Sequence, residues 1–181
     1  VIAMAFHEDP QQAKANLGHV LIGAVGYNIV QLVGMATAAG IVERLGRIRL
    51  QLIGFAVVGV GIALLVASHM AGFDSALHLC LVIAGLILVG FFQGWPGVST
   101  FLLPAELFPT GLRGTAQGLA AGAGKLGASV GVFAFPMLIA DVTLAWTLCI
   151  CLAAALTGLV VTAALRLETS GMSLEALAHE A

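Results

Sequence analysis

Lys125 lies within a run rich in glycine and alanine, GLAAGAGKLGASVG, followed by the apolar residues Val132 to Phe135. An ammonium inside a membrane span is expensive, so it needs an anion, water, or a carboxylate on another helix. On a helix, Lys125 shares its face with Gly118, Ala121, Gly122, Ala128, Ser129 and Val132, nearly all small. Leu119, Leu126 and Phe133 form a bulky stripe suited to lipid, while Gly124, Gly127 and Gly131 form a third that admits a close neighbouring helix. Lys125 therefore overlooks a groove that side chains do not fill. A lysine serving an anion and a structural lysine paired across helices both fit that placement.

A second polar group surrounds Trp95-Pro96-Gly97. Proline removes a backbone donor and leaves the carbonyl of Phe92 without its helical partner, so the helix is expected to break at Pro96 and Gly97. Gln93, Gly97 and Thr100 fall on one face beside the break. Interrupted helices line cavities, although a kink that merely shapes packing uses the same residues. Tyr27 and Gln31 share another face, with Asn28 beside them, which suits a water-lined face or hydrogen bonds between helices. Lys125, Gln93, Thr100, Gln31 and Tyr27 are thus the candidate binding residues.

The charged groups gather elsewhere. Glu43, Arg44, Arg47 and Arg49 surround Gly46, a residue able to take a left-handed turn. These arginines suit the negative end of the preceding helix, fix topology, and are placed to form ion pairs with a neighbouring helix. Glu106 and Arg113 flank a second turn, Phe108-Pro109-Thr110.

Catalytic patterns fail. No His, Cys and carboxylate set has metal-ligand spacing, and no Ser, His and Asp set shares a depth. GAGKLG does not make a phosphate loop, because Leu119 replaces its first glycine and Leu126 its magnesium-binding Ser or Thr. No catalytic residue, metal, cofactor or enzyme activity is expected.

Five long segments must position these residues. Of 181 residues, 60% are hydrophobic and 9% charged, and the mean hydropathy is +1.08, which suits an all-helical integral membrane protein. Spans are expected at about 17–42, 50–67, 77–103, 115–140 and 142–165. Residues 1–16 read as the end of an upstream span and a polar outer loop broken at Pro10; residues 166–181 read as a polar tail with an amphipathic piece after Ser173. Arg44, Arg47, Arg49, Arg113 and Arg166 fall on one side, which the positive-inside rule assigns to the cytoplasm together with the C-terminus. Asp74 and Asp141 are placed as N-caps of the third and fifth spans. His19 is expected at an outer interface, and Cys80, Cys149 and Cys151 as buried small hydrophobes. The sparse basic residues give no nucleic-acid surface. An opening valine and the odd span count suggest a fragment.

Pro104-Ala105-Glu106, Phe108-Pro109-Thr110 with Arg113, and Gly124-Lys125-Leu126-Gly127-Ala128 together resemble the phosphate:proton symporter family of the major facilitator superfamily. Gly46-Arg47 with Gln51-Leu52-Ile53-Gly54-Phe55, and Glu168-Thr169 with Ser173-Leu174-Glu175, are similar to further superfamily motifs. The resemblance covers nearly the whole chain and implies a transmembrane helix bundle, the C-terminal half of a twelve-span fold. It implies a secondary transporter of the plasma (cell inner) membrane, with proton-coupled symport of inorganic phosphate or a related small anion by alternating access. Its partners would be the anion, protons, the bilayer and the missing N-terminal half, with the proton acceptor upstream. Lys125 would handle phosphate and protons, whereas Glu106, Arg113, Gly46 and Arg47 would stabilise one access state. The pattern departs at Gly97, where the family has an asparagine that touches phosphate, and at Ala39, Leu167 and Ser170. A sugar or an organic or aromatic acid carried by the same fold is the alternative. From another class, a membrane sensor without flux is the rival.

Overall fold

The computed structural model describes residues 10–70, 75–141 and 144–165. Five helices occupy them: α1 (Pro10–Leu45), α2 (Arg47–Met70), α3 (Ser75–Leu107), α4 (Thr110–Asp141) and α5 (Leu144–Leu165). Each contains a stretch long and apolar enough to cross a membrane. Residues 1–9, Asp74 and the tail 166–181, with its amphipathic piece, lie outside the described residues.

Several boundaries differ from the expected ones, for local reasons. Helix α1 begins at Pro10 rather than after a loop, because proline at the first helical position loses no intrahelical bond. Helix α4 extends to Asp141. The arginine-bearing loop contracts to a single residue, Gly46, with φ 89°. Its N–H donates to the carbonyl of Val42 at 2.9 Å, closing α1 with a left-handed cap, and its own carbonyl accepts from Leu50 N at 3.1 Å, opening α2. A side chain at that φ is strained. At the next turn, the Pro109 carbonyl accepts from Leu112 and Arg113 and starts α4.

The expected break at Pro96 is absent. Helix α3 runs unbroken through both Pro96 and Pro104. On α2, a Cβ at Gly54 would stand 2.5 Å from Pro96 Cδ and 2.9 Å from Trp95 Cβ, so the missing side chain of Gly54 makes room for the ring between the helices. The neighbouring helix absorbs the proline.

Close approach between backbones organises the bundle, as expected where lipid is as apolar as leucine and packing must hold helices together. Gly61 on α2 and Gly85 on α3 face each other, each blocking a Cβ on the other with its carbonyl oxygen, at 3.0 and 2.8 Å. On α1, a Cβ at Gly34 would run into the carbonyl of Phe91. On α2, the Phe55 ring fills the place a Cβ at Gly158 of α5 would need. Ala38, Val42, Leu50 and Trp95 form the core where α1, α2 and α3 meet, with Phe91 and Phe92 against it. Gly34→Val should therefore separate α1 from α3 and cost about 1–3 kcal/mol, read as a lower unfolding midpoint in detergent; Gly40→Val, with open space around it, should change that midpoint little.

Helix α4 is different. None of its apolar stretch is buried, and Gly118, Gly122, Gly124, Gly127 and Gly131 have open space where a side chain would go. Leu119, Leu126 and Phe133 are 71%, 71% and 77% exposed. Exposure in a membrane span does not demand polarity, which also corrects the expectation for the cysteines: Cys80 is exposed, and Cys149 and Cys151 are only half-buried.

Candidate functional site

Arg47 ties three helices together at the Gly46 end of the bundle. Because Gly46 reverses the chain, Arg47 opens α2 directly beside the last turn of α1. Its guanidinium donates Nη2 to Glu106 Oε1 at 2.7 Å and Nε to both Glu106 oxygens at 3.0 and 3.1 Å. It also forks onto Glu43, Nη1 to Oε2 at 3.0 Å and Nη2 to Oε1 at 2.7 Å. The two pairs are unequal, since Glu106 is 17% exposed and Glu43 is 72% exposed around an arginine side chain at 8%. Water weakens the second pair far more than the first.

Buried Ser99 fastens the same residue by its backbone, donating its hydroxyl to the Arg47 carbonyl at 2.9 Å. Thus α3 holds Arg47 at both main chain and side chain. Arg44 is exposed, and Arg113 is half-buried with an Nε that lacks a hydrogen-bond partner. Of the charged candidates, the structure brings Glu43, Arg47 and Glu106 into contact around Gly46.

The mid-membrane candidates separate into a bonded pair and isolated groups. Tyr27 on α1 donates its hydroxyl to Gln93 Oε1 on α3 at 2.8 Å. Thr100 turns back on its own helix, donating to the Pro96 carbonyl at 2.7 Å, and Asn28 donates to the Ala24 carbonyl at 2.7 Å. Gly97 has open space around it. Lys125 is exposed and makes no ion pair among the described residues; Ser129 donates to its backbone carbonyl at 2.9 Å. At 1.5 Å per residue, Gln31, Gln93 and Lys125 all lie roughly 21–22 Å from the helix ends at Leu45, Leu107 and Thr110. They share one level along the bundle, as counted from the Gly46 end.

Two polar residues, Ser99 and Thr162, escaped the sequence reading, and a third, Gln51, was read only as part of a motif. Gln51 Nε2 donates to Thr162 Oγ1 at 3.2 Å, joining α2 to α5 at the Gly46 end. Isolated Ser, Gln and Thr residues in apolar helices carry no pairing signal of their own. A cavity of about 370 Å³ between α2, α3 and α5 is apolar except for Gln93, with Phe55, Ile62, Pro96 and Cys151 in its wall. Among the described residues, no group of three His, Cys, Asp or Glu side chains is arranged to hold a metal ion.

The family described as sugar (and other) transporter matches residues 12–181. The probable inorganic phosphate transporter 1-6 of Arabidopsis thaliana is 33% identical over 147 residues, 81% of this chain and 28% of its own length. The low affinity inorganic phosphate transporter 4 of Lotus japonicus is 41% identical over 93 residues, 51% of this chain and 17% of its own. A putative inorganic phosphate transporter of Schizosaccharomyces pombe is 33% identical over 142 residues, 77% of this chain and 23% of its own. The chain spans less than a third of the length of these curated relatives.

Proposed function

The chain belongs to the sugar (and other) transporter family of the major facilitator superfamily, and from that membership we propose that it works within a secondary transporter moving inorganic phosphate or a related small anion together with protons. It is a multi-pass membrane protein. In this reading the anion sits near the membrane middle against Lys125 and Gln93, with Gln31, Tyr27 and Thr100 on the surrounding helices. A second helical bundle faces it and supplies the proton acceptor. Alternating access moves α1, α2 and α3 as one block, supported by their interlocked glycines and by the Arg47 clamp, whose ion pairs hold one access state. Arg44 and Arg113 belong to the same charged end, which faces the cytoplasm of a cell whose plasma membrane carries the protein.

The observation that carries this reading is Lys125. It sits well inside the span of α4, level with Gln31 and Gln93, exposed, on a helix whose small face leaves open space, and no carboxylate among the described residues pairs with it. An unpaired ammonium there favours an anionic cargo over a neutral sugar. The relatives named as phosphate transporters point to the same cargo.

The test is uptake of labelled phosphate by the full-length protein in proteoliposomes, with and without an inward proton gradient. Gradient-dependent accumulation of phosphate, unaffected by excess glucose, is the expected result. Accumulation of glucose without phosphate would replace the anion with a sugar, and no flux of either by folded protein would favour a sensor.

A further inference from the structure

Gln93 carries one acceptor and two donors at the end of a flexible side chain, and only its N–H side can serve an oxyanion. Something must decide which side it presents. Tyr27 is placed to do so. Its hydroxyl donates to Gln93 Oε1 at 2.8 Å, from a helix 66 residues away in sequence. Its ring is seated by Gly90, three residues before Gln93 on α3, where a Cβ would stand 3.0 Å from Tyr27 Cε2. The groove around the ring, between α1 and α3, is otherwise apolar, lined by Gly23, Gly26, Val30, Ile83 and Leu86 among others. No other side chain there accepts the hydroxyl proton. Turning the carboxamide over would leave that proton without a side-chain acceptor in the groove, which favours the orientation with Oε1 toward Tyr27.

We propose that Tyr27 is a positioning residue: it engages the carbonyl of Gln93 so that both amide hydrogens remain available to an oxyanion. This rests on the reading of Gln93 as an anion contact. Tyr27 need not touch the anion itself. Its contribution is selective, because a freed carboxamide can turn its carbonyl oxygen toward the anion and repel it. The seat at Gly90 belongs to the device, since it fixes the ring that aims the hydroxyl.

Tyr27→Phe removes only the hydroxyl and keeps the ring on Gly90. The experiment measures KM and kcat for phosphate uptake by the full-length protein in four forms: wild type, Tyr27→Phe, Gln93→Leu and the double variant. Tyr27→Phe is expected to raise KM about tenfold with kcat largely kept, the size expected when one hydrogen bond to a charged ligand is lost. Retained kcat reports that the variant is folded. In the Gln93→Leu background the same change should leave KM unaltered, since Tyr27 then has nothing to orient. Effects that multiply independently would overturn the positioning role, as would an unchanged KM in Tyr27→Phe when Gln93→Leu has raised it. An unchanged KM in Gln93→Leu would remove the anion contact at Gln93 and this inference with it.

Discussion

Lys125→Gln is expected to lower kcat/KM for phosphate uptake about 100-fold, and Lys125→Arg to retain a much larger share. The size follows from removing a full positive charge from a poorly screened place, where a charge-assisted bond to an oxyanion contributes up to about 3 kcal/mol. Glutamine is shorter and neutral but still donates hydrogen bonds, so the contrast with Lys125→Arg, which keeps the charge, is what isolates charge. The competing explanation is structural. If Lys125 instead neutralises a carboxylate on another helix, Lys125→Gln should chiefly lower the unfolding midpoint and the yield of folded protein, leaving uptake per folded molecule near wild type. Initial rates over a range of phosphate concentrations, set beside thermal unfolding of the same preparations, separate these outcomes.

Arg47→Leu has the largest expected effect on stability. Leucine takes the guanidinium away from the Glu106 carboxylate, 17% exposed, and removing one partner of a largely but not fully buried pair costs up to about 3 kcal/mol. Glu43→Gln is the contrast. Glu43 is 72% exposed, so its pair with Arg47 contributes below about 1 kcal/mol. Denaturant unfolding in detergent should therefore rank Arg47→Leu far below Glu43→Gln, although both variants lose salt bridges to the same pairing system. Arg47→Leu combined with Glu106→Leu should recover part of the loss, because the second change removes the carboxylate that the guanidinium had neutralised. Equal effects of Arg47→Leu and Glu43→Gln would contradict the account of the clamp. The Ser99 bond accepts at a backbone carbonyl, so it survives these substitutions and keeps α2 and α3 in register.

What could be read in the sequence was chemical type and depth. Glu43, Arg47 and Glu106 are charged residues beside turns, and chain reversal at Gly46 and at Phe108-Pro109 brings such turns to one end of a bundle. Lys125 announces itself through the cost of its charge. Pairing was harder to read. Tyr27 and Gln93 were each noticed for polarity, yet their bond depends on how α1 crosses α3, which Gly90 permits and which neither helix states alone. Ser99 was invisible for the same reason.

Glycine gives the sharpest contrast. Gly124, Gly127 and Gly131 form as plausible a packing stripe as Gly54 and Gly61. Only the latter meet another backbone or ring among the described residues. A glycine stripe states that close approach is possible; the neighbour decides whether it occurs. Pro96 makes the complementary point, since the space its ring occupies is left by the absence of a side chain on α2, 42 positions earlier at Gly54. A local rule for proline breaks cannot include a distant glycine.

The central claim is that Lys125 supplies the positive charge of an anion site, and equilibrium binding tests it without depending on flux. Labelled phosphate would be titrated against purified full-length protein in detergent, wild type beside Lys125→Gln, with unfolding midpoints matched. Saturable binding by the wild type, weakened at least about tenfold by the substitution, is the predicted result. The same Kd in both proteins would contradict the claim and return Lys125 to a structural role.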